Sequence, residues 1–205
     1  PNGQYLAYMH NMKATGAWER YHQAGKTDAV TGRFFEPRPS EEFYDNFKDF
    51  HNIDNQIDDP LHQSKIKELK KELRRQQLKY FDSGLMPEEM RNRIIREKKT
   101  TVYEFVRDPK LYPLAKYLDY ADLALDRKKR HLKTFTKNLS DNDPVIRYWS
   151  VVGLLLLEQQ AKPAIPNLKK VLDDQDEIPA LAVWTIYKAG AENFAKQWML
   201  KEILK

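Results

Sequence analysis

The chain has 205 residues, of which 41% are hydrophobic and 12% aromatic, enough to build a core and to exclude wholesale disorder. Its 35 basic and 30 acidic residues are intermixed, and a net charge of +5 spread in this way argues against a nucleic-acid-binding stripe. The absence of cysteine excludes disulfides, thiolate metal sites and cysteine nucleophiles, and only seven glycines, with neither G-x-G-x-x-G nor G-x-x-x-x-G-K, argue against a phosphate loop.

The first 60 residues read as irregular and aromatic. Gln4 to Met12 has strand character, with its partners expected upstream of this chain. Thr15 to Ala24 reads as a short helix, with Trp18 and Tyr21 on one face and Gly25 as its stop. Glu36-Pro37-Arg38-Pro39-Ser40 is a stiff extended linker, because each proline fixes its own dihedral and biases its predecessor. Glu42 to Asn46 is a second strand candidate. From Leu61 to Phe81 a helix is predicted, with Ile66, Leu69, Leu73 and Tyr80 forming its apolar face. Met86-Pro87-Glu88-Glu89 opens a further short helix. Thr100 to Tyr103 reads equally as loop or early helix.

The last 90 or so residues carry a regular helical signal. Helices are predicted from Pro113 to Leu125, from about Arg127 to Asn138, and from Asp143-Pro144 to Leu157. Three more follow: from Pro163 or Pro166 to Leu172, from about Glu177 to Ala189, and from Ala191 to Leu204. Within this stretch Leu139-Ser140-Asp141-Asn142-Asp143-Pro144-Val145 aligns with Leu172-Asp173-Asp174-Gln175-Asp176-Glu177-Ile178 at an offset of 33. The shared pattern is a helix, an acidic turn and a longer apolar helix, which is the signature of a short solenoid. The acidic residues are expected to cap the helix that follows them. Arg147, just after Pro144-Val145-Ile146, is expected to bond across the turn to an acidic neighbour.

No constellation for catalysis is present. His10, His22, His51, His62 and His131 lack metal-ligand spacing, and H-E-x-x-H and G-x-S-x-G are missing. His51 lies near Asp54 and Asp58 but is read as a surface histidine, and no metal residues are assigned. Glu41-Glu42 and Asp58-Asp59 are read as turn and cap residues. Trp149, Trp184 and Trp198 are read as packing residues. Trp18, in the least regular region, is the one candidate for substrate binding, as a platform for a sugar ring. The longest apolar run, Val151 to Leu157, is too short to span a bilayer.

Pro39-Ser40-Glu41-Glu42-Phe43-Tyr44-Asp45-Asn46-Phe47-Lys48-Asp49-Phe50, continued through Asp54, Asn55 and Gln56, resembles the C-terminal signature of arylsulfatase-type sulfatases. That signature reads roughly P-x-E-E-L-Y-D-L-x-x-D-P-x-E-x-x-N-L. Phe43 replaces its usual leucine, and Phe50 stands where proline is common. Tyr5 to Met12 resembles the aromatic strand before it. Trp18 to Lys26 is similar to a segment of the branch that carries helical repeats after the sulfatase fold.

The resemblance implies a mainly α chain: a small N-terminal α+β remnant of the sulfatase C-terminal subdomain, followed by a HEAT-like α-helical repeat array. The expected divisions are residues 1–60 for the remnant, 61–112 for the long helix and connecting helices, and 113–205 for the repeats. It implies a parent that hydrolyses sulfate esters, such as those of sulfated glycans, using a formylglycine and Ca2+ held in an N-terminal catalytic domain. None of those catalytic residues transfers to this chain, which has no cysteine and no Ser-x-Pro-x-Arg. The expected partner is that catalytic domain, with pocket shaping or homo-oligomer contacts as the role and neither nucleic acid nor a membrane span involved. The parent is expected in the periplasm or outside the cell. No signal peptide opens this chain, which begins without methionine and reads as cut from something longer. The alternative is a stand-alone helical-repeat module for protein–protein interaction.

Overall fold

The computed structural model describes residues 7–204. The chain is mainly helical, and no strand occurs among the described residues. Two compact units divide it, residues 1–71 and residues 72–205, with the division inside a long helix.

In the first unit, α1 (Ala7–His10) stands in place of the expected strand over Gln4 to Met12, whose first three residues lie outside those described, and α2 (Lys13–Gln23) is the short helix expected over Thr15 to Ala24. Short helical bonds begin at once here, with Met12 N–H donating to Met9 C=O. The second strand candidate, Glu42 to Asn46, forms no strand, and Phe43 bonds instead to Asn55 and Gln56 across a loop. Asp59 caps the turn that leads into α3 (Gln63–Tyr80), its side chain accepting from Leu61 N–H at 2.9 Å. Along α3 the predicted apolar face is real in register. Of its members only Ile66 is buried, while Leu69, Leu73 and Tyr80 are exposed.

The second unit holds the main core. It continues with α4 (Glu88–Lys98), α5 (Val102–Phe105), α6 (Leu114–Leu125), α7 (Leu132–Asn138) and α8 (Pro144–Leu156). The chain then runs through α9 (Ile165–Leu168) to α10 (Ile178–Lys188) and α11 (Glu192–Ile203). Thr100 to Tyr103 resolves as a helix start: Thr101 and Glu104 form a reciprocal capping box. The helix expected from Pro163 or Pro166 to Leu172 is broken into 3-10 segments around α9. Pro163 and Pro166 lack the N–H that an α-helical bond needs, so the chain tightens around them.

α6 and α7 both pack on α8, α8 packs on α10, and α10 packs on α11. Phe135, Ile146, Leu154, Leu168, Ile178 and Ile186 are fully buried between these helices. Met90, Phe105 and Tyr112 join the same core, so the unit runs across residue 112 without a break. Two bonds tie the loop before α4 to it. Tyr112 Oη–H donates to Asp82 C=O at 2.8 Å, and Trp149 Nε1–H donates to Leu85 C=O at 2.7 Å. Burial pushes the Tyr112 phenol up to about 12. Glycine scarcity shows at the helix ends, where Lys99, Arg127, Glu158 and Asp176 adopt left-handed backbone that glycine commonly takes.

The two acidic turns differ. In the first, Asp143 caps α8 as expected, accepting from Val145 N–H at 3.0 Å. In the second, no side chain caps α10, and the acids turn to arginines instead. Arg147 holds Asp174 through two bonds of 2.6 and 2.8 Å and also donates to Asp141 C=O at 2.9 Å. Asp141 and Asp174 are equivalent at the offset of 33, so one guanidinium joins both turns. Arg93 of α4 similarly grips Asp176, with Nη2 at 2.8 Å from Oδ2.

Gly153 of α8 faces the Phe135 ring, and a Cβ placed there would lie 2.6 Å from two ring carbons. The ring is fully buried and cannot swing clear. Gly153→Ala gains about 1 kcal/mol of helix propensity but overpacks the core by about 1–3 kcal/mol. Urea unfolding is expected to show a less stable protein; a gain in stability would contradict this packing.

Burial pushes the Asp174 carboxyl up, but the Arg147 bonds and the Gln175 N–H outweigh it and hold it below the usual carboxylate range. A lowered folded-state value means the stabilisation is complete above the unfolded value and is lost as pH falls through the folded one. Arg147→Met is expected to cost about 2–3 kcal/mol at neutral pH. The deficit relative to the parent sequence should shrink below about pH 4. Chemical denaturation across pH 2–7 would measure it.

Candidate functional site

The stretch that carries the sulfatase-like signature is a closed loop in the first unit. Asn55 closes it: its Oδ1 accepts from Phe43 N–H at 2.9 Å and from Ile57 N–H at 3.2 Å. Gln56 N–H donates to Phe43 C=O at 2.8 Å. Inside the loop Asp49 accepts from Asp54 N–H at 2.7 Å. Bonds from the Ile53 and Asp54 N–H groups, helped by Arg33 and His51, hold the Asp49 carboxyl below its ordinary value. Arg33 threads into the loop, donating to Asn52 C=O, Ile53 C=O and Tyr44 Oη.

Beside this loop lies a groove of about 360 Å³, lined by Arg33, Phe34, Pro37, Arg38, Tyr44 and His51 among others. Both of its arginines are satisfied locally. Arg38 pairs with Glu42, which also lines the groove, and the Arg33 guanidinium is spent on carbonyls. The groove holds no serine, threonine or cysteine nucleophile. What it offers is a concave surface with hydrogen-bonding arginines and aromatic walls.

Trp18 sits next to the residues that build this wall. Its ring lies 4.9 Å from Phe34 and 5.1 Å from Phe35, and its Nε1–H donates to Thr31 C=O at 3.0 Å. His22 stacks on Phe35 at 4.4 Å. This aromatic cluster orients Phe34 toward the groove. The sequence alone did not single out Arg33, an isolated arginine in Thr31-Gly32-Arg33-Phe34-Phe35 with no periodic or motif signal. Asn55 was visible only as a signature position, not as the loop's clasp.

His51, Asp54 and Asp58 do not gather, and no cluster of three or more His, Asp or Glu able to hold a metal ion occurs among the described residues. The sequence has no Cys-x-Pro-x-Arg or Ser-x-Pro-x-Arg from which a formylglycine forms, and the described residues offer no cluster fit for a calcium ion. Glu41 pairs with Lys70 and Glu42 with Arg38, so the adjacent carboxylates diverge. Among the described residues no helix is long and apolar enough to cross a membrane. Comparison of the chain with protein-family models, curated proteins and solved structures finds no match.

Asn55→Ala removes the acceptor shared by Phe43 and Ile57. Amide hydrogen exchange over residues 43–57 is expected to accelerate by about tenfold or more, with the second unit unchanged. Unchanged protection in the loop would mean that Asn55 is not its clasp.

Proposed function

We propose that this chain is the non-catalytic C-terminal portion of a sulfatase and that its residues 113–205 are a HEAT-like repeat array. On this reading the parent hydrolyses sulfate esters, such as those of sulfated glycans, and is exported to the periplasm or beyond. Formylglycine and Ca2+ belong to the parent's upstream catalytic domain. Residues 1–60 complete the parent's small sheet-bearing subdomain. The chain shapes one wall of the substrate pocket or mediates oligomer contacts, and Trp18, with Phe34 and Phe35, belongs to that wall.

The observation that carries this reading is the apolar surface of the first unit. Phe47, Phe50 and Leu61 are 83% or more exposed, and Tyr8 and Met12 are also well exposed. Among the described residues of this unit only Gly32 and Ile66 are buried. A segment that leaves this much aromatic and aliphatic surface in water is completed by another body of protein. The signature resemblance names that body as the catalytic domain. The closed loop around Asn55 adds support, because signature positions at its two ends, Phe43 and Asn55–Gln56, are bonded to each other.

Reading the gene upstream of the Pro1 codon tests this proposal. The expected result is an open frame that continues upstream and encodes C/S-x-P-x-R. A start codon within a few residues of Pro1 would overturn it and leave the stand-alone interaction module.

A further inference from the structure

A second cavity, in the 72–205 unit, has a composition that the sulfatase reading does not use. It measures about 370 Å³ and is lined by Met86, Pro87, Tyr148, Trp149, Leu181 and Glu177, with Gly84 at its edge. Two aromatic rings, three apolar side chains and a single carboxylate therefore converge. Trp149 is held in place by its 2.7 Å bond to Leu85 C=O, and the Tyr148 ring meets it edge-on, 5.7 Å away and at 80°. The walls are preset rather than adaptable.

Glu177 is the unusual member. It occupies the N-cap position of α10, yet its side chain makes no cap bond. Its Oε2 is buried and no donor among the described residues reaches it. No Lys or Arg among the described residues pairs with it, because Arg93 is taken by Asp176 and Glu97 and Arg147 by Asp174. The positive end of the α10 dipole favours a negative charge here but supplies no donor to Oε2. A carboxylate with one oxygen withdrawn from water and left without a donor is costly to keep charged, and a cation in the cavity that Glu177 lines would offset that charge. Burial, and after it the Glu177 carboxylate, push the Tyr148 phenol up.

We infer that this cavity is a binding site for an alkylammonium group, with Glu177 as counter-ion, Tyr148 and Trp149 as the aromatic walls and Met86, Pro87 and Leu181 enclosing the alkyl stem. Charge pairing selects the ammonium, and the aromatic faces favour a cation over a neutral head group. The volume admits an amine on a short alkyl chain, the size of a lysine side chain.

The test uses the 205-residue chain labelled with 15N at tryptophan and follows the Trp149 indole N–H by NMR. Titration with n-butylammonium is expected to shift that signal in a saturable way, whereas n-butanol, the neutral isostere, leaves it in place. Glu177→Gln, which keeps the shape and removes the charge, is expected to weaken the response about tenfold or more. N-acetyl-lysine-N-methylamide separates the sources. Tighter binding than butylammonium points to a lysine of a protein partner, and weaker binding to a free amine. Equal responses to butylammonium and butanol, or an undiminished response in a folded Glu177→Gln protein, would overturn the assignment. Because butanol is tested on the unaltered chain, the result stands even if the variant folds poorly.

Discussion

The Arg147 guanidinium is the constraint on which the helical unit depends. It projects from α8 and spends its planar fork on both acidic turns at once, the carbonyl of Asp141 and the carboxylate of Asp174. A lysine could supply the charge but not this two-sided geometry. Both partners of the ion pair are largely shielded from water, so their attraction is screened less than a surface pair's. The pair therefore sets how α10 follows α8, and Arg93 sets how α4 follows the same turn by holding Asp176. The second turn has exchanged helix capping for two long-range ion pairs.

Around these polar fixtures the apolar packing is tight. Gly153 lets the Phe135 ring lie against the α8 backbone, a contact that no side chain at that position would allow. Ser150, fully buried in the same helix, is satisfied by donating to Ile146 C=O, and its hydroxyl also meets that of Tyr120. The polar atoms enclosed by this core are few, and most have partners. Glu177 Oε2 and Arg91 Nε are exceptions among the described residues of this unit, and Glu177 lines a cavity. A core that satisfies most of its polar groups thus leaves an oxygen of Glu177 without a donor, in a residue that shares a cavity with Tyr148 and Trp149.

The two units divide their physical character. The second buries a continuous apolar core and is organised by its own ion pairs. The first is organised by local bonds: the Asn55 clasp, the Arg33 thread and the Trp18–Phe34–Phe35 cluster. Its large apolar side chains lie mostly outside that organisation. This division fits a chain in which one part is self-sufficient and the other contributes to a larger fold, as proposed.

The sequence by itself determined most helices of the second half, because their apolar periodicity and proline starts are local properties read within a few turns, but not the break-up of the stretch around Pro163 and Pro166 into 3-10 segments. It also determined that an arginine after the first acidic turn would seek an acid nearby, since the 33-residue repeat places Asp141 and Asp174 in equivalent turns. It misread Gln4 to Met12, where short-range i,i+3 bonding won over strand propensity in the described part. Tertiary structure alone decided that Asp176 serves Arg93, 83 residues distant, instead of capping α10. It alone decided that the α3 stripe stays exposed and that Tyr148, Trp149 and Glu177 share a cavity. These outcomes depend on which distant groups arrive at the same place, and no local pattern of residues carries that information.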